Sequence, residues 1–298
     1  MVQEEDSITE ALVQALVSDQ FPEWSSMPVR AVSRQGWDNR VFLVGDSMLA
    51  RLPSTKAYEA QVYREQRWLP LLQNHLPLEI PKPLALGRPG HGYTCSWSIY
   101  RWIEGDNAAS SPPNEDESFA KDLGAFLNAL RKAPAAYGPE PGPHNFYRGG
   151  SLAVYDTQFR QAVQALSGRV DESTALAAWQ TALGARWQSP PVWVHGDIAL
   201  GNLLVREGSL SAVIDFGQLC VGDPACDLAI AWTHFRGEDR RTFLKTVDLD
   251  SGTCERGRAW ALWKATIVAS GLVQTSAVEG LSSWQTIQQV LDDVRAEA

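Results

Sequence analysis

The stretch from Val192 to Asp227 constrains this chain more than any other part of it. It holds His195-Gly196-Asp197, then Asn202 five positions after the aspartate, then Asp215-Phe216-Gly217. Between Asn202 and Asp215 lie two apolar runs, Leu203-Leu204-Val205 and Ala212-Val213-Ile214, on either side of a polar turn from Arg206 to Ser211. Short apolar runs bounded by turn residues predict a buried hairpin, which returns its two ends to one place. Asn202 and Asp215 are therefore expected at the same end of it. Asp, Asn and Gly are common in turns, and Asp-Phe-Gly alone recurs by chance. The information lies in the order and spacing of the two clusters around the hairpin.

That order matches the catalytic pattern of protein kinases, in which an aspartate, an asparagine five residues on and an Asp-Phe-Gly act together. Phosphoryl transfer asks a protein to orient a nucleophilic hydroxyl and to neutralise phosphate charge, with little covalent chemistry of its own. Asp197 is expected to accept or orient the hydroxyl proton. Asn202 offers a carbonyl oxygen and Asp215 a carboxylate, hard ligands suited to a Mg²⁺ ion that keeps some of its waters and bridges a triphosphate. His195, beside apolar Val194, reads as a packed supporting residue rather than a base.

With these residues the sequence resembles the aminoglycoside phosphotransferase family, within the kinase-like group that includes choline and macrolide kinases. The resemblance is carried by His195-Gly196-Asp197 through Asn202, by Asp215-Phe216-Gly217, and by Gly222-Asp223-Pro224 through Asp227-Leu228-Ala229. It spans roughly residues 30 to 235. It implies an α+β, protein-kinase-like two-lobed fold: an N-terminal lobe of antiparallel sheet plus one helix, and a mostly helical C-terminal lobe. The boundary is expected near Trp102, giving a nucleotide-binding lobe over 1–102 and a lobe over 103–298 with the catalytic loop and acceptor site. The family's counterpart of Asp227 braces the catalytic loop. Asp223-Pro224 reads as an N-cap and first helical residue opening a helix through Trp232. Asp223 facing a bound acceptor is an equal alternative.

Only Gln218 to Gly222 separates Asp215-Phe216-Gly217 from that helix start, too short for a protein-kinase activation segment. Gly196 also stands where the protein-kinase pattern has an arginine, so no cation is there to pair with a phosphorylated loop. The acceptor is therefore expected to be a small molecule.

The N-terminal part departs from the kinase pattern. The turn Gln35-Gly36-Trp37-Asp38-Asn39-Arg40 has one glycine where protein kinases have three. Backbone N–H groups from Gly36 to Asn39 and the Asn39 amide are candidate phosphate contacts, against an ordinary Asp-Asn turn. In the strand pattern Met48 to Leu52, Arg51 takes the place of the kinase lysine, and its fork can grip phosphate in its own geometry. Lys56, just after Pro53, is the rival. Glu65 is the expected helix partner of Arg51, with Glu59 as the other candidate. Base recognition is expected on the strand Ser98 to Ile103, including Tyr100 and Trp102, with ATP and GTP both open as donor.

The whole chain supplies limits. Its 298 residues, 44% hydrophobic, can build a sizeable core, and a net charge of −9 argues against nucleic acid as a partner. Four cysteines without a C-x-x-C pair, an acidic start at Glu4, Glu5 and Asp6, and no long apolar run predict a cytoplasmic protein with no membrane span. Nothing in the sequence points to a protein partner. Glu104, Asp106, Asp223, Asp227, Asp292 and Asp293 are placed to draw a cationic acceptor such as an aminoglycoside antibiotic, while Trp232, Trp260, Trp263 and Trp284 would suit an apolar one such as a macrolide. A choline-like or other metabolite hydroxyl, or a catalytically silent nucleotide-binding module, are the remaining readings.

Overall fold

The computed structural model describes residues 8–32, 36, 38–113, 117–273 and 277–297, with the side chains of 277–279 left aside. Gln35 and Trp37 of the expected phosphate-covering turn lie outside the described residues. The chain forms two compact units. The first comprises residues 1–106 and 211–217, and the second 107–210 and 218–298.

The first unit is built on an antiparallel sheet of β1 (Val29–Ala31), β2 (Asn39–Val44), β3 (Met48–Pro53), β4 (Pro83–Gly87) and β5 (Trp97–Arg101), in the order β1-β2-β3-β5-β4. The β2–β3 hairpin turns at Gly45, whose φ of +62° suits a residue without a side chain. One face of the sheet carries Phe42, Val44, Ala50, Leu52, Trp97 and Ile99, and packs with Val13, Leu16 and Val17 of α1 (Glu10–Gln20). Thr9 caps α1 by accepting from the Leu12 N–H.

Helix α2 (Glu59–Leu72) buries Gln61, Val62, Arg64, Glu65, Trp68, Leu69 and Leu72. That set mixes an apolar stripe with polar groups that the fold needs inside. Pro70 falls within α2 without ending it, and the Gln73 N–H still reaches the Leu69 carbonyl.

Two expectations change here. Residues 80–92 are more than a connection, because Pro83–Gly87 pairs with β5 as the edge strand of the sheet. A proline that opens an edge strand loses no ladder bond, so the Pro-rich composition hid a strand. The strand expected to run to Ile103 stops at Arg101.

The second unit is mostly helical: α3 (Ser118–Lys132), α4 (Asp156–Ala165), α5 (Glu172–Gly184), α6 (Ile230–Thr233), α7 (Gly237–Val247), α8 (Ser251–Ala269) and α9 (Ala277–Glu297). Helix α3 shows the expected period, burying Phe119, Leu123, Phe126, Leu127 and Leu130. Helix α8 is buried on almost every side, which erases any apolar period from its sequence. The helix expected from Pro224 begins as a 3-10 segment, Pro224–Ala229, before α6.

Two small sheets complete the chain. β7 (Val192–Val194) pairs antiparallel with β10 (Cys220–Gly222), and a second sheet has the order β6 (Asp106–Asn107), β8 (Leu203–Arg206), β9 (Ser209–Val213). The turn between β8 and β9 is tighter than the sequence suggested: Glu207 and Gly208, at φ of +53° and +78°, are its two central residues. Positive φ at both is what a two-residue hairpin turn demands. All four cysteines are free. No helix among the described residues is long and apolar enough to cross a membrane.

At the β4–β5 pairing, a Cβ on Gly87 would lie 2.1 Å from the Trp97 ring, itself fully buried. Gly87→Ala is expected to cost about 1–3 kcal/mol of stability by overpacking, measured by denaturant unfolding. An unchanged midpoint would show that the sheet edge yields freely.

Candidate active site

In the first unit Arg51, in the middle of β3, projects toward α2 and toward Asp215. Its Nη1 donates to Glu65 Oε1 at 2.7 Å and its Nη2 to Asp215 Oδ1 at 2.5 Å, while Asp38 Oδ2 stands 3.9 Å from Nη2. Glu65 keeps only 2% of its side chain exposed and Arg51 13%, whereas Asp215 keeps 31%. The second oxygen of Glu65 accepts from the Tyr100 hydroxyl at 2.5 Å.

Burial works against the charge on Arg51, but the carboxylates of Asp215 and Glu65 outweigh it and hold the guanidinium pKa well above its ordinary value. Burial raises the pKa of Glu65, with Arg51 opposing. Burial, and then the charge of Glu65, push the Tyr100 phenol far up, so it stays protonated and can donate. A buried pair of this kind is costly to break, because the surviving partner is left charged without compensation.

Lys56, the rival cation, pairs with Glu59 at 2.5 Å and is mostly exposed. Glu59 also accepts from the Ser96 N–H, so it belongs to that local contact and not to Arg51. Asn39 is buried and donates to Gln61 Oε1 at 3.3 Å. Gly36 offers its carbonyl to Arg40. The Trp102 N–H donates to the Ser47 carbonyl.

The Asp-Phe-Gly segment is packed on α2, with one polar contact that its sequence did not announce. Arg64 donates to the Gly217 carbonyl, and a Cβ on Gly217 would meet the Gln61 amide at 2.8 Å. Asp215 adopts a left-handed φ of +64°, unusual for a residue with a side chain. Such conformations persist only where surrounding contacts enforce them, as Arg51 and the α2 contacts do here.

In the second unit the segment after β7 forms the other half of the sequence pattern. Asp227, fully buried, accepts from the backbone N–H of His195 at 2.9 Å and of Gly196 at 2.8 Å, one with each oxygen. His195 Nδ1 then accepts from the Asp197 N–H at 3.2 Å. Asn202 donates its amide to the Asp197 carbonyl at 2.9 Å and to the Asp197 carboxylate at 3.0 Å. The spacing of five residues thus closes into a ring of hydrogen bonds.

Gly196 sits at φ +86°, where a Cβ would lie 2.8 Å from the Gln218 carbonyl and 3.1 Å from the Arg148 Cβ. No arginine of the protein-kinase kind fits at this position. Asp223 caps the Pro224 segment through the Ala225 N–H and takes two hydrogen bonds from Arg256, at 2.6 and 3.1 Å. The cap expected at Asp223 is present. Arg256 lies in α8, beyond any sequence motif.

The other acidic candidates in this unit are also engaged. Asp293 accepts from the Trp232 indole at 2.7 Å and from Arg240 at 2.5 Å, and Asp292 from Arg295 at 3.0 Å. Trp232, Trp260 and Trp263 are buried, and Trp284 carries Arg169 over its ring.

Against this geometry, a family model covers residues 29–263 and describes the phosphotransferase enzyme family, APH. The chain belongs to that family. Solved structures share the fold. The GDP complex of wild-type aminoglycoside 2'-phosphotransferase-IIIa superposes with a TM-score of 0.70 over 96% of this chain and 99% of that one, at 17% identity. A streptomycin-ATP-APH(2")-IIa ternary complex gives 0.60 over 95% and 97%, also at 17%. Macrolide 2'-phosphotransferase MphH from Brachybacterium faecium gives 0.61 over 93% and 97%, at 18%. No curated protein sequence matches the chain significantly. The kinase-like fold expected from the sequence is therefore the fold of this APH chain, with an antiparallel sheet in its N-terminal part and helices in its C-terminal part.

The Asp227 brace on the Asp197 segment has a measurable signature. Burial raises the Asp227 pKa above the ordinary aspartate value, with His195, the two N–H groups and Arg131 pulling the other way. Its folded pKa thus exceeds its unfolded one, and between them the folded state binds the proton more strongly, so its contribution to stability falls as pH rises. The unfolding free energy of wild type minus that of Asp227→Asn is expected to decline as pH climbs above about 4. A pH-independent difference would contradict the burial-driven shift.

Proposed function

We propose that this APH chain moves the γ-phosphoryl group of ATP or GTP to a hydroxyl of a small molecule. The observation that carries the reading is the Asp197–Asn202 pair, held by the Asp227 brace. In the proposed reaction the acceptor oxygen forms a bond to Pγ and the bond from Pγ to the bridging oxygen breaks. The electrons of that bond leave with the nucleoside diphosphate, and Asp197 takes the hydroxyl proton.

Asn202 points its amide nitrogen at Asp197, so its carbonyl oxygen is the atom it has to offer a cation. Asp215 supplies a partly exposed carboxylate. Hard oxygens of this type suit Mg²⁺, and we assign Asn202 and Asp215 as its protein ligands. Among the described residues no group of three or more His, Cys, Asp and Glu side chains is arranged around a metal position, and an ion held by two protein oxygens, waters and phosphates requires none. When bound, the ion would neutralise charge on the β- and γ-phosphates.

Arg51, already forked between Glu65 and Asp215, is the proposed phosphate contact, with Gly36 and Asn39 on the covering turn. Tyr100 and Trp102 mark the segment proposed for the base. Similar structures hold GDP in one case and streptomycin with ATP in another, which supports a purine nucleotide donor and an alcohol acceptor. An aminoglycoside or a macrolide is the acceptor these relatives suggest, with antibiotic resistance as the role that would go with it.

Asp197→Asn is expected to lower kcat for phosphate transfer about 10²-fold or more while the nucleotide KM changes little, since it removes a positioned proton acceptor. Nucleoside diphosphate release in the presence of acceptor is the readout. A rate within about threefold of wild type would remove Asp197 from the mechanism.

A further inference from the structure

The second unit contains a cation that the family comparison does not explain. Arg148 lies in the loop after α3, with its Cβ 3.1 Å from the position a Cβ would take on Gly196, the residue before Asp197. Its guanidinium lies over two indoles, 5.0 Å from the Trp260 ring centroid and 5.4 Å from that of Trp263. Trp263 is stacked in turn by Tyr155, with centroids 3.9 Å apart. Among the described residues no carboxylate forms an ion pair with Arg148, and it is only half-buried.

The loop around Arg148 is held rigidly. Buried Asn145 donates to the Arg148 and Gln218 carbonyls, at 3.0 and 3.3 Å, and the Asp223 N–H reaches the Gly149 carbonyl at 2.8 Å. The Tyr155 hydroxyl donates to the Phe146 carbonyl at 2.7 Å. Phe146 and Tyr147, just before Arg148, expose much of their rings. The loop whose Arg148 Cβ packs beside Gly196, one residue before Asp197, thus carries a guanidinium on an aromatic bed, with further aromatic surface beside it.

The acidic residues singled out in this unit are each engaged. Asp223 is held by Arg256, Asp293 by Arg240, Asp292 by Arg295, and Asp227 is buried against backbone N–H groups. The acceptor class inferred below therefore departs from the aminoglycosides and macrolides that the relatives suggest, neither of which carries an oxyanion.

We propose that Arg148 is a specificity-determining residue of this phosphotransferase, selecting a hydroxylated acceptor that carries an oxyanion, carboxylate or phosphate, together with an apolar face. The inference rests on the reading that Asp197 orients the acceptor hydroxyl. An arginine offers an oxyanion two charge-assisted N–H donors, and its indole bed keeps the fork preorganised. The exposed rings of Phe146 and Tyr147 beside it would cover the apolar part of the acceptor.

The test uses four matched probes on the full chain: phenyl β-D-glucuronide, phenyl β-D-glucoside 6-phosphate, the neutral phenyl β-D-glucoside, and the ammonium-bearing phenyl β-D-glucosaminide. Dissociation constants are read from quenching of tryptophan fluorescence, in wild type, Arg148→Gln and Arg148→Lys. At least one anionic probe is expected to bind roughly tenfold or more tightly than the neutral one, and the ammonium probe more weakly still. Arg148→Gln should remove the preference and Arg148→Lys should keep part of it. Which anionic probe wins identifies carboxylate or phosphate as the group recognised. Equal binding of anionic and neutral probes by wild type, binding of none, tighter binding of the ammonium probe, or a preference that survives Arg148→Gln would overturn the proposal. If Arg148→Gln fails to fold, the wild-type preference and Arg148→Lys decide alone. The same titration in Asp197→Asn separates the two ideas, since a preference retained there stands whether or not Asp197 serves the transfer.

Discussion

The second unit depends on one buried carboxylate. Asp227 has no solvent to satisfy it, and it is tolerable in the interior because each of its oxygens takes a backbone N–H from His195 or Gly196. Those two bonds fix the start of the segment that carries Asp197. The left-handed Gly196 then turns the chain where no side chain fits, and Asn202 ties the far end back onto Asp197. A flexible loop would have to order itself at each turnover, whereas this one is ordered by the fold.

The first unit solves a different problem, that of keeping a charged guanidinium inside. Arg51 is nearly buried, and Glu65 and Asp215 are what make its charge affordable there. Tyr100 completes the arrangement by donating to the second oxygen of Glu65. An arginine in a kinase-like position is not simply a lysine with a larger head. It is planar, permanently charged and able to grip two carboxylates at once. The price is a fixed geometry, so any phosphate it meets must accept that geometry or displace one carboxylate.

Much of this was legible in the sequence. The apolar runs Leu203-Leu204-Val205 and Ala212-Val213-Ile214 predict a hairpin, and β8 and β9 form one around a two-residue turn at Glu207-Gly208. Glu65, the expected helix partner, pairs with Arg51, while Glu59 turns to Lys56 and the Ser96 N–H. The cap at Asp223 was readable, but its ion-pair partner was hidden: Arg256 is 33 residues away on a helix with no readable period. Arg148 left no signal because it belongs to no motif, and its significance comes from Trp260 and Trp263, more than a hundred residues on. Local patterns report turns, caps and amphipathic faces. They are silent about ion pairs and ring contacts closed by tertiary folding.

The account stands on phosphoryl transfer to an alcohol, and ³¹P NMR of the chain with Mg²⁺, ATP or GTP, and a panel of hydroxylated acceptors tests that directly. A phosphomonoester resonance that grows in equal measure with nucleoside diphosphate is the predicted result. Inorganic phosphate alone, or an unchanged triphosphate with every acceptor, would contradict it.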